Sequence, residues 1–96
     1  MSTSTDKKHF ILRYDYIPEI LEKRGPFRAE HLELAKTAKA HGKVLMAGAL
    51  VDPADGGVFI FHTNDKRDVE DFVNQDPYVK NALVTSYTIR EWMVVV

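Results

Sequence analysis

The sequence predicts an α+β domain in the order βαββαβ, on three observations. Apolar residues alternate with polar ones from His9 to Tyr16. A run rich in Ala, Glu, Leu and Lys lies between Pro26 and Gly42. A β-branched and aromatic stretch occupies Leu83 to Val96. The strand period at both ends and the helix period between them give the fold class before any motif is considered.

Taken in order, Met1 to Lys8 is polar and without apolar periodicity, and it is expected to form a flexible arm in front of one domain over 9–96. The first strand runs from His9 to Tyr16, with Phe10, Leu12, Tyr14 and Tyr16 on one face. Pro18 to Gly25 allows a short helical turn. Pro26 suits the first turn of a helix reaching His41, and Gly42 stands where a left-handed cap would end it. Val44 to Val51 and Gly57 to His62 read as antiparallel strands joined by the Pro-, Asp- and Gly-rich loop 52–56. Asn64 or Asp65 can cap a second helix that buries Val69, Phe72 and Val73, and Asp76-Pro77 ends it because the residue before proline disfavours helical dihedrals. Leu83 to Val96 is the last strand.

Right-handed crossovers place both helices on one face of a four-stranded antiparallel sheet, the ferredoxin-like arrangement. The other face is a problem for a single copy. Leu45, Ala47 and Val51 point one way while Val44, Met46 and Leu50 point the other, and Trp92 to Val96 is an apolar tail. A homodimer packed sheet on sheet would cover this surface.

Composition narrows the function. With 96 residues, 45% hydrophobic and 28% charged, there is one core, of a size that gains from a partner subunit. Thirteen basic residues face 14 acidic ones in mixed order, so nucleic acid is not an expected partner. No apolar run nears the roughly 20 residues of a membrane helix, and Met1 to Lys8 does not resemble a signal peptide, so no membrane and a cytoplasmic location are expected. The absence of cysteine removes disulfides, thiolate nucleophiles and zinc-thiolate sites.

The candidate for chemistry is His31. At about 100° per residue, Phe27, Ala35 and Ala38 fall within about 40° of it, which centres it on the inward stripe of the first long helix. A histidine amid apolar groups needs partners for its ring nitrogens, and a carboxylate at one of them would orient it as a general base. Asp76, at the stiff corner Asp76-Pro77-Tyr78, is the candidate carboxylate, and Tyr78 sets a phenol nearby. The plainer reading of His31 is a hydrogen-bonded core residue, and of Asp76 a cap. Arg28, at the border of the stripe, can meet solvent or an anionic substrate. Gly48 inside a strand suggests a bulge or a close approach of ligand. His9, His41 and His62 lack the spacing of a metal site, although His9 and His62 can meet across paired strands, so neither metal nor cofactor is expected.

Arg28-Ala-Glu-His31-Leu32, Gly42, Ala47-Gly48 and Asp76-Pro77-Tyr78-Val79 together resemble the YCII-related, or YciI-like, family over His9 to Trp92. The resemblance implies a ferredoxin-like fold of the dimeric α+β barrel type with a His and Asp active site, here His31 and Asp76. Some members remove halide from chlorinated lactones. Two positions depart from the family pattern: many relatives have Ala-Gly-Pro-Leu where this chain has Ala47-Gly48-Ala49-Leu50, and a glycine where it has Ala82.

The expected function is therefore a cofactor-independent lyase, isomerase or dehalogenase on a small organic acid or lactone. His31 would be its base, Asp76 its orienter, and Arg28, Tyr78 and Gly48 its substrate contacts. The alternatives are a module that binds a small molecule without changing it, and a purely structural dimerisation unit.

Overall fold

Strand β1 (Lys8–Tyr16) buries Phe10, Leu12 and Tyr14 on one side and turns His9, Ile11, Arg13 and Asp15 to the other. The computed structural model describes residues 7–96. The expected arm therefore lies outside the described residues over 1–6, and Lys8, counted with that arm, opens β1 opposite Thr63. After β1 come α1 (Ile20–Lys23), α2 (Gly25–Ala40), β2 (Val44–Ala49), β3 (Gly56–Thr63), α3 (Arg67–Gln75), α4 (Pro77–Lys80) and β4 (Val84–Trp92). The sheet order is β2-β3-β1-β4, antiparallel throughout, with the two longer helices on one face as the sequence implied. The core lies between them: Phe10, Leu12, Phe59 and Phe61 of the sheet meet Val69, Phe72 and Val73 of α3 and Leu34, Ala35 and Ala38 of α2.

The helix ends follow local chemistry. Gly42 takes φ +78° after α2. The Gly42 N–H donates to Lys39 O and the Lys43 N–H to Ala38 O, both at 2.9 Å, which is a Schellman closure. The second helix starts later than expected. Asp65 Oδ1 accepts the Arg67 N–H at 2.9 Å in a local turn, and Lys66, with no acceptor to offer, stands at the cap. Pro77 forces Asp76 out of helical dihedrals, to φ −73° and ψ 121°, and then itself begins α4, a turn absent from the sequence reading.

Three strand expectations change. β2 stops at Ala49, where the Leu50 N–H turns to Gly56 O at 2.8 Å. Its irregularity falls between Val44 and Met46 rather than at Gly48, where an added Cβ would meet open space. β4 ends at Trp92, the last residue with a partner on β1, and Met93 to Val96 lie beyond it. At Gly56 a Cβ would come within 2.6 Å of Tyr14 O, so glycine lets β3 approach β1 there.

The outer sheet face carries a row in which Met46, Ile60, Ile11 and Arg90 stand side by side, with Met46 65% exposed. Next to it, His62, His9 and Trp92 form a second row, and the two imidazoles stack with centroids 4.5 Å apart.

Ala82 takes φ +60°. A left-handed residue with a Cβ is strained by about 1–2 kcal/mol, while glycine loses more chain entropy on folding. Ala82→Gly should therefore raise the unfolding free energy by about 0.5–1 kcal/mol in urea titration; an unchanged or lowered midpoint would contradict this account.

Candidate active site

Asp76 is completely buried. It sits at the corner between α3 and α4 because Pro77 fixes the extended backbone there, and three elements deliver donors to its carboxylate. From β1 the Tyr14 hydroxyl donates to Oδ2 at 2.8 Å, and from α4 the Tyr78 N–H donates to Oδ1 at 3.0 Å. From α2, His31 Nδ1 lies 2.9 Å from Oδ1 and 3.0 Å from Oδ2. The carboxylate is ringed by donors, so in the neutral tautomer of His31 Nδ1 carries the ring proton toward it and Nε2 holds the lone pair.

Ring packing fixes the imidazole further. Tyr78 stacks on His31 with centroids 3.8 Å apart and planes 3° from parallel, and Phe59 meets it edge-on at 6.0 Å. Tyr16 in turn packs edge-on against both Tyr14 and Tyr78. Among the described residues no buried side-chain nitrogen or oxygen lacks a hydrogen-bond partner.

Beside His31 opens a cavity of about 360 Å³ between α2 and the β2 edge of the sheet. Leu32, Ala35, Val44 and Phe59 give it apolar walls, Tyr16 and Tyr78 also line it, and Arg24, Arg28, Lys36 and Lys39 bring positive charge to it. The structure brings His31 and Asp76 into hydrogen-bond contact and places Arg28, Tyr78 and Gly48 on the same cavity, with Asp76 behind its wall.

Sequence reasoning missed Tyr14, Tyr16, Arg24, Lys36, Lys39 and Phe59. Tyr14 carried a signal: a tyrosine on the inward face of a central strand needs a buried acceptor for its hydroxyl. Burial pushes the Tyr14 phenol well up, and the neighbouring Asp76 carboxylate adds to it. Burial likewise pushes Tyr16 up to about 12 and raises Tyr78, where the Arg24 and Arg28 guanidinium groups oppose the shift.

The one-sided ferredoxin-like sheet places the chain in the class of small α+β domains, and here a buried His–Asp pair lies at the wall of an open cavity. Within that class the match is to the YCII-related domain, over residues 8–93, and the chain belongs to that family. Among solved structures it is similar to 5-chloro-2-hydroxyhydroquinone dehydrochlorinase from Burkholderia phenoliruptrix AC1100 in complex with 2,5-dihydroxybenzoquinone. That likeness has 22% identity and TM-score 0.76, covering 88% of this chain and 93% of that one. It is also similar to a protein of Pseudomonas aeruginosa, at 14% identity and TM-score 0.63, covering 99% and 100%. A third likeness is to a dimeric ferredoxin-like protein from an uncultured marine organism, at 11% identity and TM-score 0.57, covering 99% and 93%. These likenesses establish the fold, a ferredoxin-like α+β sheet with helices on one face. No curated protein matches the chain.

The tyrosines supply a pH test. Tyr16 is raised from 10.0 to about 12 in the folded chain, so the neutral phenol is favoured by folding. Its contribution is complete below the unfolded value of about 10 and disappears as pH rises through the folded one. Phenolate absorbance at about pH 11 should therefore be well below that of the urea-unfolded chain, and unfolding free energy should fall from about pH 10 upward. Equal absorbance in the two states would refute the buried-phenol geometry.

Proposed function

We propose that this chain is a cofactor-independent proton-transfer enzyme, a lyase, isomerase or dehalogenase acting on a small organic acid or lactone. The observation that carries the reading is His31 Nδ1 held 2.9 Å from the buried Asp76 carboxylate while the same ring borders the cavity. In this reading Nε2 removes a proton from a carbon next to a carbonyl. For elimination, the C–H electron pair becomes the new C=C bond, halide leaves from the adjacent carbon with its bonding pair, and the proton on His31 passes to solvent. For isomerisation, the proton returns to another carbon of the same conjugated system.

Asp76 keeps its role throughout as orienter. It fixes the ring and stabilises the imidazolium formed during transfer, without itself taking the proton. Arg28 and Tyr78 hold the substrate, and Gly48 leaves room on the β2 wall. A dehydrochlorinase among the structural neighbours accords with the elimination branch. The same cavity also supports the second reading, a module that binds its ligand without changing it.

We infer further that two copies pair through the outer sheet faces. Ile11, Val58 and Ile60 are only partly covered there, Met46 and Trp92 are exposed, and a structural neighbour is described as dimeric.

Incubating lactones and halogenated organic acids with the wild type should yield turnover, seen as halide release or deuterium uptake. His31→Ala should lower kcat by about 10²–10⁴ while ligand still binds. Binding with no turnover by the wild type would select the module, and a pocket that takes no small acid would overturn both readings.

Sedimentation should give a mass twice 11.0 kDa, and Ile11→Asp should halve it. A wild type sedimenting as a single chain would overturn the pairing.

A further inference from the structure

Among the described residues, the charged side chains on the cavity are all of one sign. Arg24, Arg28, Lys36 and Lys39 border it with no aspartate or glutamate among them, in a chain whose formal net charge is −1. They are also grouped by position. Arg28, Leu32, Ala35 and Lys39 recur at helical spacing and fall within about 60° of arc, forming one line down the face of α2 that borders the cavity. That line reads cation, apolar, apolar, cation.

At 1.5 Å per residue, Arg28 and Lys36 are separated along the helix axis by about 12 Å, and Arg28 and Lys39 by about 16 Å. Arg24, one turn before Arg28, reinforces the first end, where both guanidinium groups act on the Tyr78 phenol. At the second end Lys39 is already tied down. Its Nζ donates to Leu45 O on β2 at 2.8 Å, which sets the ammonium where α2 meets the edge strand and leaves two N–H bonds for a ligand. His31 lies between the two ends, beside the apolar middle.

We propose that the ligand of this pocket is a dianion with an unsaturated or cyclic apolar middle, one anionic group held by Arg24 and Arg28 and the other by Lys36 and Lys39. Allowing for the reach of the side chains, the two anionic groups stand roughly 6–10 Å apart. A dicarboxylate of that span suits a cavity of about 360 Å³. Two carboxylates facing two cation pairs would set the molecule along α2 in one direction and leave its middle carbons beside His31. The proposal rests on the reading of this cavity as a substrate pocket and adds the substrate class to it. A neutral lactone would offer neither cation pair a counter-charge, and a monoanion would offer one to a single pair.

The test compares two rigid probes with the same ring system, naphthalene-2,6-dicarboxylate and 2-naphthoate, by calorimetric titration at low and moderate salt. The protein is the full chain carrying His31→Gln, so that binding is measured apart from chemistry. The dicarboxylate should bind about tenfold or more tightly than the monocarboxylate, in line with modest gains for partly exposed ion pairs, and salt should narrow the gap. Lys36→Gln with Lys39→Gln should abolish that preference while leaving 2-naphthoate binding within about twofold, and Arg28→Gln should weaken both probes. Thermal melting of each variant verifies that it is folded. Equal affinity for the two probes, a preference that survives the double lysine change, or binding of neither probe would each overturn the dianion. Turnover of a substrate by the wild type, lost in His31→Ala, would stand independently of all three, so this proposal and the proton-transfer reading can fail separately.

Discussion

A carboxylate removed from water is tolerated only when donors replace the water, and Asp76 gathers donors from three different elements to meet that demand. Tyr14 fixes it to the central strand β1, His31 to α2, and the Tyr78 N–H to its own corner. Each partner is constrained in return. Tyr14 has its hydroxyl satisfied inside the core, His31 has one nitrogen committed and one left for the cavity, and α4 receives its N-terminal cap. The same contacts that make burial of the charge possible therefore assemble the site, and the fold and the candidate chemistry share one set of hydrogen bonds.

The second constraint is the one-sided sheet. Two longer helices cover a single face, and α2 leaves an open channel along the edge strand β2, where Ala47, Gly48 and Ala49 are too small to close it. A pocket results with a rigid floor from β3 and a wall of backbone and small side chains. The long basic side chains of α2 reach it from the rim, their stems covering apolar surface and their charged ends in water. The opposite face, where Ile11, Val58, Ile60, Met46 and Trp92 stand among Arg and His, has no covering layer among the described residues.

Much of this was legible beforehand. The burial of His31 on the inward side of α2, the extended backbone of Asp76 before Pro77 and the Schellman glycine at Gly42 all follow from local chemistry. Less legible were the features that depend on where neighbouring strands end. β4 stops at Trp92, its last residue paired with β1, although Val94 to Val96 have high strand propensity. Likewise α4 exists because the same proline that closes α3 starts a new turn, and a breaker was read only as a breaker.

What the sequence by itself determined was the four strands and the two longer helices, their order and most of the faces they bury, since these rest on interactions between residues a few positions apart. The contact between His31 and Asp76 spans 45 positions, and that between Tyr14 and Asp76 spans 62. Such pairs come together only when the crossovers have stacked α2 and the α3–α4 corner on β1. Tertiary structure alone decided that the phenol, the imidazole and the carboxylate meet, and that four cations of the α2 region border the same cavity, because no local period encodes which helix face will lie beside which strand.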